Sequence, residues 1–380
     1  MFKPAERLNL PGYPFAELER QATAIKASGQ PLYDLSIGDP DLPPPKFVVD
    51  AVHNALDDPR SHLYPSSRGD YEVRCSVAQW FEGRFGVKLD PDKQVCIIIG
   101  AKEGLGQIAR AVVNPGDIVA VPEPAYPVYS RAGCKLVDGI QLVLQLDPEN
   151  GFLPDLSKVK NVKLLYLNYP NNPTGAEVTD DFLMELGKLA NANPEMTLVY
   201  DMAYSEMCYN RPARSILEFT PNAIEFHSLS KMACATGYRV GFAVGDPDRI
   251  AALIRIKEEI DSGVPLPFQK ALSAMLDSFK GNKPPTELLE YRRIFSNRKR
   301  MLSKALEEHG FYIFRSQATF YVWFKVGDDE LPFISNMLKQ GVLLTPGSGF
   351  GNAGKGWVRA SVTSPDEVIQ GAIEIIREVL

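Results

Sequence analysis

The stretch Ser228-Leu229-Ser230-Lys231-Met232-Ala233, with Arg239 eight residues beyond Lys231, sets two hydroxyls, one amine and one guanidinium close together. The amine can bond covalently to an aldehyde, while the serines and the arginine can hold a phosphate. That set suits an aldehyde cofactor carrying a phosphate. A serine-rich turn with a lysine is equally an ordinary solvated loop, so the flanking chain must decide. Residues 224–227 and 239–244 on either side read as buried strands, as do 95–99, 118–121, 163–167 and 197–200. Helical patterns lie between them. In 180–190, for example, Phe182, Leu183, Leu186 and Ala190 share one face at spacings of three and four. From about residue 45 to about 275 this alternation predicts an α/β layer with a mostly parallel mixed sheet covered on both faces.

The texture changes at Lys280-Gly281-Asn282-Lys283-Pro284-Pro285-Thr286, where glycine and prolines break the pattern. A long helix over 287–309 is predicted next. The following TFYVWFKV (319–326) alternates as a strand with one packed and one wetter face would. The organisation expected is an arm with part of a small domain over 1–44, a large cofactor-binding domain over 45–280, and a smaller α+β domain over 281–380.

With 380 residues, 45% of them hydrophobic and 23% charged, the chain can bury a sizeable core. A net charge of −6 with interspersed signs offers no basic stripe for nucleic acid and no polybasic face for a membrane. Small-molecule chemistry remains. Five cysteines without a CxxC pair suit reduced thiols in a cytoplasm. The amino terminus lacks an apolar signal core, and no apolar run reaches membrane-spanning length, so a soluble, unprocessed protein is expected. The four scattered histidines have no metal-ligand spacing, and no metal site is expected.

Further segments carry chemistry. Strand 95–99 runs into Gly100-Ala101-Lys102-Glu103-Gly104 and then a helix, and a small-residue turn at a helix start is a ready phosphate site. In LYLNYPNNPTG (165–175) the Asn172 amide can donate to a phenolate oxygen. Asp201 closes a buried strand, where ligands of open α/β sheets sit, with Tyr204 three residues on. The residues alone leave Asp201 open between a partner for a ring nitrogen and an N-cap of the next helix. GFGNAG (349–354) fits a dinucleotide fingerprint formally but leads toward a strand, so its context fails. Asp39 and Asp41, beside Pro40 and Pro43, are expected in an exposed extended loop.

NNPTG, Asp201-x-Ala203-Tyr204, SLSK and TGYRVGF (236–242), in that order, resemble the class I/II aminotransferases of pyridoxal phosphate (PLP) fold type I, and the likeness covers nearly the whole chain. The resemblance implies Lys231 as the lysine that links to the cofactor, Asp201 on the pyridine nitrogen, and Asn172 and Tyr204 on the ring oxygen. It implies phosphate contacts from the backbone of Ala101 and Lys102, from Ser228 and Ser230, and from Arg239. Tyr126, in EPAYPVY, matches the aromatic residue stacked on the ring. Arg359, in WVRASV, matches the guanidinium that clamps the substrate α-carboxylate, with Gly38 and Asn172 also on the substrate. Tyr64 matches a tyrosine that reaches the neighbouring subunit's cofactor, which implies a homodimer with sites at its interface.

YPSSRG (64–69), IIGAKEG, PAYPVY, LNYPNNPTGA, NKPPTELLEYRRIF (282–295) and TPGSGFG (345–351) resemble the LL-diaminopimelate aminotransferase group. The resemblance implies exchange of an amino group between an amino acid and a 2-oxo acid by a ping-pong route, with LL-diaminopimelate and 2-oxoglutarate as one pairing. Relatives of the same pattern act on alanine, aspartate or methionine. A carbon–sulfur lyase of the same fold would use the same Lys231 and Asp201. A PLP-binding regulator would need a DNA-binding domain, and none fits before residue 45.

Overall fold

The computed structural model describes residues 2–10, 12, 14–27 and 29–379. In chain order its strands are β1 (Tyr33–Asp34), β2 (Val95–Ile98), β3 (Ile118–Glu123), β4 (Ile140–Gln145), β5 (Leu164–Asn168), β6 (Thr197–Asp201), β7 (Ala223–Ser228), β8 (Gly241–Gly245), β9 (Tyr312–Phe314), β10 (Tyr321–Lys325), β11 (Val342–Leu343), β12 (Thr345–Pro346) and β13 (Trp357–Ser361). Strands β5, β6 and β7 are buried at every position, including Glu225 and His227 of β7, whose side chains bond each other at 3.0 Å. They lie side by side in a seven-stranded sheet of order β2-β8-β7-β6-β5-β3-β4. Strand β8 runs antiparallel to both neighbours, and the remaining pairs are parallel. The predicted mostly parallel mixed sheet is present.

Each face of this sheet has its own apolar layer. Ile98, Tyr166, Val199 and Phe226 meet Leu105 and Ile108 of the helix Ala101–Val112 and Leu253 of the helix Pro247–Glu258. On the other face Ile97, Leu165, Leu198 and Phe242 join Trp80, Phe81, Leu183 and Leu272 from three further helices. The helix Asp180–Ala192 starts where Thr179 accepts from the Phe182 N–H at 3.2 Å, with Asp180 and Asp181 favourable at its positive end. Strand β4, which the sequence did not suggest, is the edge of the sheet, and its IQLVLQ is mostly exposed or half-buried. An edge strand needs no continuous apolar run.

The second sheet has four antiparallel strands in the order β12-β13-β10-β9. Here the expectation of a wetter face on 319–326 fails, because Tyr321, Val322, Trp323 and Phe324 are all buried. Both sides of β10 are covered. Trp323 stacks on Trp357 with ring centroids 5.5 Å apart, while Phe324 meets Phe311 and Phe333 edge-on. A two-stranded parallel pairing of β1 with β11 ties the segment after residue 33 to the chain's last third. The Ser361 N–H donates to the Leu35 carbonyl at 2.7 Å, so residues 35–38 are strung along β13 and led toward the ends of β5, β6 and β7. Among the described residues, no helix is long and apolar enough to cross a membrane.

Candidate active site

Parallel strands deliver their carboxyl ends to one edge of the sheet, and here β5 ends on Asn168, β6 on Asp201 and β7 on Ser228. Asn168 and Asp201 are register partners, and the Asn168 amide donates to the Asp201 carbonyl at 2.8 Å. A cavity of ≈ 250 Å³ opens above these ends. It is lined by Gly38, Ala101, Lys102, Tyr126, Asn172, Asp201, Tyr204, Ser228, Ser230, Lys231, Arg239 and Arg359, so twelve of the thirteen residues singled out in the sequence meet there. The thirteenth, Tyr64, lies on the surface at 92% exposure.

Lys231 sits in the short helix Leu229–Met232, whose Ser228 N-cap accepts from the Ser230 N–H at 3.2 Å. Its ammonium donates to the Gly38 carbonyl at 2.6 Å. Burial lowers its pKa to about 8, with the Arg239 and Arg359 charges adding to the effect and Asp39 opposing it. An amine so placed is easily made neutral and nucleophilic.

Asp201 is pushed up to about 6 by burial, although the Tyr129 hydroxyl donates to one carboxylate oxygen at 2.7 Å and the Ala203 N–H to the other at 3.0 Å. The His227 ring adds a smaller electrostatic effect in the same direction as these donors. A buried carboxylate in that state fits a cationic ring nitrogen as its counter-ion.

The helix Ala101–Val112 starts at Gly100, which has φ 76° and no side-chain cap. A Cβ at Gly100 would lie 2.6 Å from the Arg239 guanidinium. Only a glycine lets that cation approach the helix start. Arg239 itself holds a left-handed backbone, φ 51°, and donates to the Thr236 carbonyl at 2.7 Å. N–H groups of the helix start, two serine hydroxyls and a guanidinium make an anion cradle of phosphate type. The donor set therefore fits both ends of PLP.

Arg359, on β13, is 2% exposed and donates to the Asn172 carboxamide oxygen at 2.9 Å and the Ser36 carbonyl at 2.6 Å. Its guanidinium also lies 4.3 Å from the Tyr321 ring centroid. The bond to Arg359 fixes the Asn172 amide. Tyr204 bonds the Tyr321 hydroxyl at 2.7 Å. Tyr129 and Tyr321 line the cavity but were missed in the sequence. The spacing of Tyr129 from Tyr126 was a faint signal, and Tyr321 looked like one strand residue among many.

Asp39 and Asp41 are exposed, as expected, but both are engaged: Asp39 accepts from the Thr236 hydroxyl at 2.5 Å and Asp41 from Arg298 at 2.7 Å. Residues 349–354 form tight turns that lead into β13, so they do not build a dinucleotide site. Among the described residues, no cluster of His, Cys, Asp and Glu could hold a metal ion.

Comparison with known proteins agrees with this geometry. The family model of aminotransferase class I and II matches residues 30–376. The LL-diaminopimelate aminotransferase of Aquifex aeolicus is 41% identical over 390 residues, covering 99% of each chain. That of Halothermothrix orenii is 39% identical, covering 98% of this chain and 97% of the relative. A solved structure of a probable N-succinyldiaminopimelate aminotransferase from Thermus thermophilus superposes with a TM-score of 0.89 at 33% identity, covering 96% of this chain and all of the other.

Proposed function

This chain belongs to the class I and II aminotransferases and is a PLP-dependent transaminase, and from that premise we propose that Lys231, Asp201, Arg239 and Arg359 carry its chemistry on LL-diaminopimelate, with 2-oxoglutarate as acceptor. The substrate pairing rests on two full-length relatives of that name at about 40% identity. The observation that carries the site assignment is the Lys231 amine in one cavity with the buried Asp201 carboxylate and two guanidiniums.

Ser228, Ser230, Arg239 and the backbone of Ala101 and Lys102 hold the phosphate, Tyr126 packs on the ring, and Asn172 and Tyr204 donate to the ring oxygen. Bound there, PLP supplies an electron sink for the pair left when the substrate α-carbon loses a proton. Asp201 keeps the ring nitrogen protonated and so keeps that sink strong. Arg359 clamps the α-carboxylate in a two-point contact beside Gly38, which orients the α-hydrogen toward Lys231. Lys231, beside the α-carbon, would take that proton on its amine and hold it for return within the same site. Donor and acceptor use the same carboxylate clamp in turn, which is the structural basis of ping-pong exchange.

Tyr64 is proposed to act on a second copy of the chain, since its exposed ring lies outside the cavity of its own chain. A homodimer with interfacial sites follows. All five cysteines are free thiols, which suits a reducing compartment such as the cytoplasm.

A panel of donors (LL-diaminopimelate, aspartate, alanine, methionine) against 2-oxoglutarate and pyruvate tests the assignment. The expected result is a kcat/KM for LL-diaminopimelate well above the others. Preference for aspartate, alanine or methionine would overturn the substrate and leave the transaminase.

A further inference from the structure

The Tyr204 and Tyr321 hydroxyls lie 2.7 Å apart, both buried, so one of the two donates its hydrogen to the other. Each hydroxyl carries one hydrogen and accepts through its lone pairs, so whichever phenol donates leaves its partner's hydrogen free to point elsewhere. One observation favours Tyr321 as the donor, and two more hold it in place. The Arg359 guanidinium lies 4.3 Å from the Tyr321 ring centroid and acts on both phenols, yet burial holds Tyr204 well above its ordinary value and raises Tyr321 less far, which leaves Tyr321 the better donor. Its oxygen is wedged against the 36–38 segment: a Cβ at Gly38 would lie 2.2 Å from it. Finally, Tyr321 is buried on β10 and held opposite Ser361 of β13, so its side chain has little freedom to turn away.

We propose that Tyr321 is a positioning residue: it donates to the Tyr204 oxygen and thereby commits the Tyr204 hydrogen to the cavity, toward the cofactor's ring oxygen. This rests on the cofactor reading given above. Gly38 then has a second task, because only a bare Cα leaves room for the Tyr321 hydroxyl beside the loop whose carbonyl receives Lys231. The groups that bear electrically on the pair are Arg359 for both phenols and Tyr126 for Tyr204, and neither is altered by removing one hydroxyl.

The test is the pH midpoint of the visible absorption band of PLP-loaded protein, compared among the parent, Tyr321→Phe, Tyr204→Phe and the double variant. A donor to the ring oxygen stabilises it most when the neighbouring lysine nitrogen is deprotonated, so weakening the donor raises the midpoint. Loss of one oriented hydrogen bond should move Tyr321→Phe upward by about half a unit to one unit. Tyr204→Phe should move at least as far, and the double variant should match Tyr204→Phe alone, because Tyr321 acts through Tyr204. An unmoved midpoint in Tyr321→Phe, or additive shifts in the double variant, overturns the positioning role. A parent protein that gives no visible band with PLP overturns the cofactor reading, and the inference with it.

Discussion

Burial lifts the Asp201 carboxyl from its ordinary 3.8 to about 6, even with Tyr129 and the Ala203 N–H donating to it. Because the folded chain then binds this proton more tightly than the unfolded chain, stability falls as pH rises from about 4 to about 6, and stays lower above that. The interval corresponds to on the order of 3 kcal/mol. Urea unfolding of cofactor-free protein should show this loss in the parent and not in Asp201→Asn, and parallel pH profiles would contradict it. Bound cofactor should flatten the parent's profile by supplying the missing cation. The convergence of Lys231, Asp201, Arg239 and Arg359 was legible because each puts a chemically distinctive group inside a strand or within three residues of a strand end. Tyr129 and Tyr321 were not, because their partners are 72 and 117 residues away and only the fold makes them neighbours.

The helix Ala101–Val112 works as a rigid part whose seat on the sheet sets the position of its phosphate-facing start. Gly104 makes that seat: a Cβ there would lie 2.7 Å from Phe226 and 2.9 Å from Ile98. Gly104→Val should cost about 1–3 kcal/mol by overpacking and also weaken PLP binding, since the whole first turn must lift. Denaturant unfolding and cofactor titration check the two effects. Destabilisation with unaltered PLP affinity would detach this helix start from the phosphate. Strands buried on both faces were readable as apolar runs, with ends within a residue or two of those observed. The edge strand β4 was not readable, because partial exposure dilutes its pattern. The face of β10 expected to be wetter was misread because alternation in residue type says nothing about helices that later cover both sides.

Across the whole molecule, the site draws on the ends of the seven-stranded sheet, on β13 of the four-stranded sheet and on the loop around Gly38, which is why no single sequence window contains it. Tyr64 extends the same logic beyond one chain. A mixed dimer of Tyr64→Phe and Lys231→Ala chains should hold one intact site and one doubly defective site, and so keep about half the parent activity per dimer. If Tyr64 served its own chain, both sites would be impaired and mixing would restore nothing. The most direct measurement is a half-reaction: PLP-loaded protein mixed with LL-diaminopimelate and no oxo acid, followed by absorbance and product analysis. A transaminase built on Lys231 converts its cofactor once per subunit to the aminated form, stops, and returns to the starting spectrum when 2-oxoglutarate is added. A cofactor spectrum left unchanged by LL-diaminopimelate, with continuous ammonia and pyruvate release from a cysteine S-conjugate instead, as a carbon–sulfur lyase of the same fold would give, contradicts it.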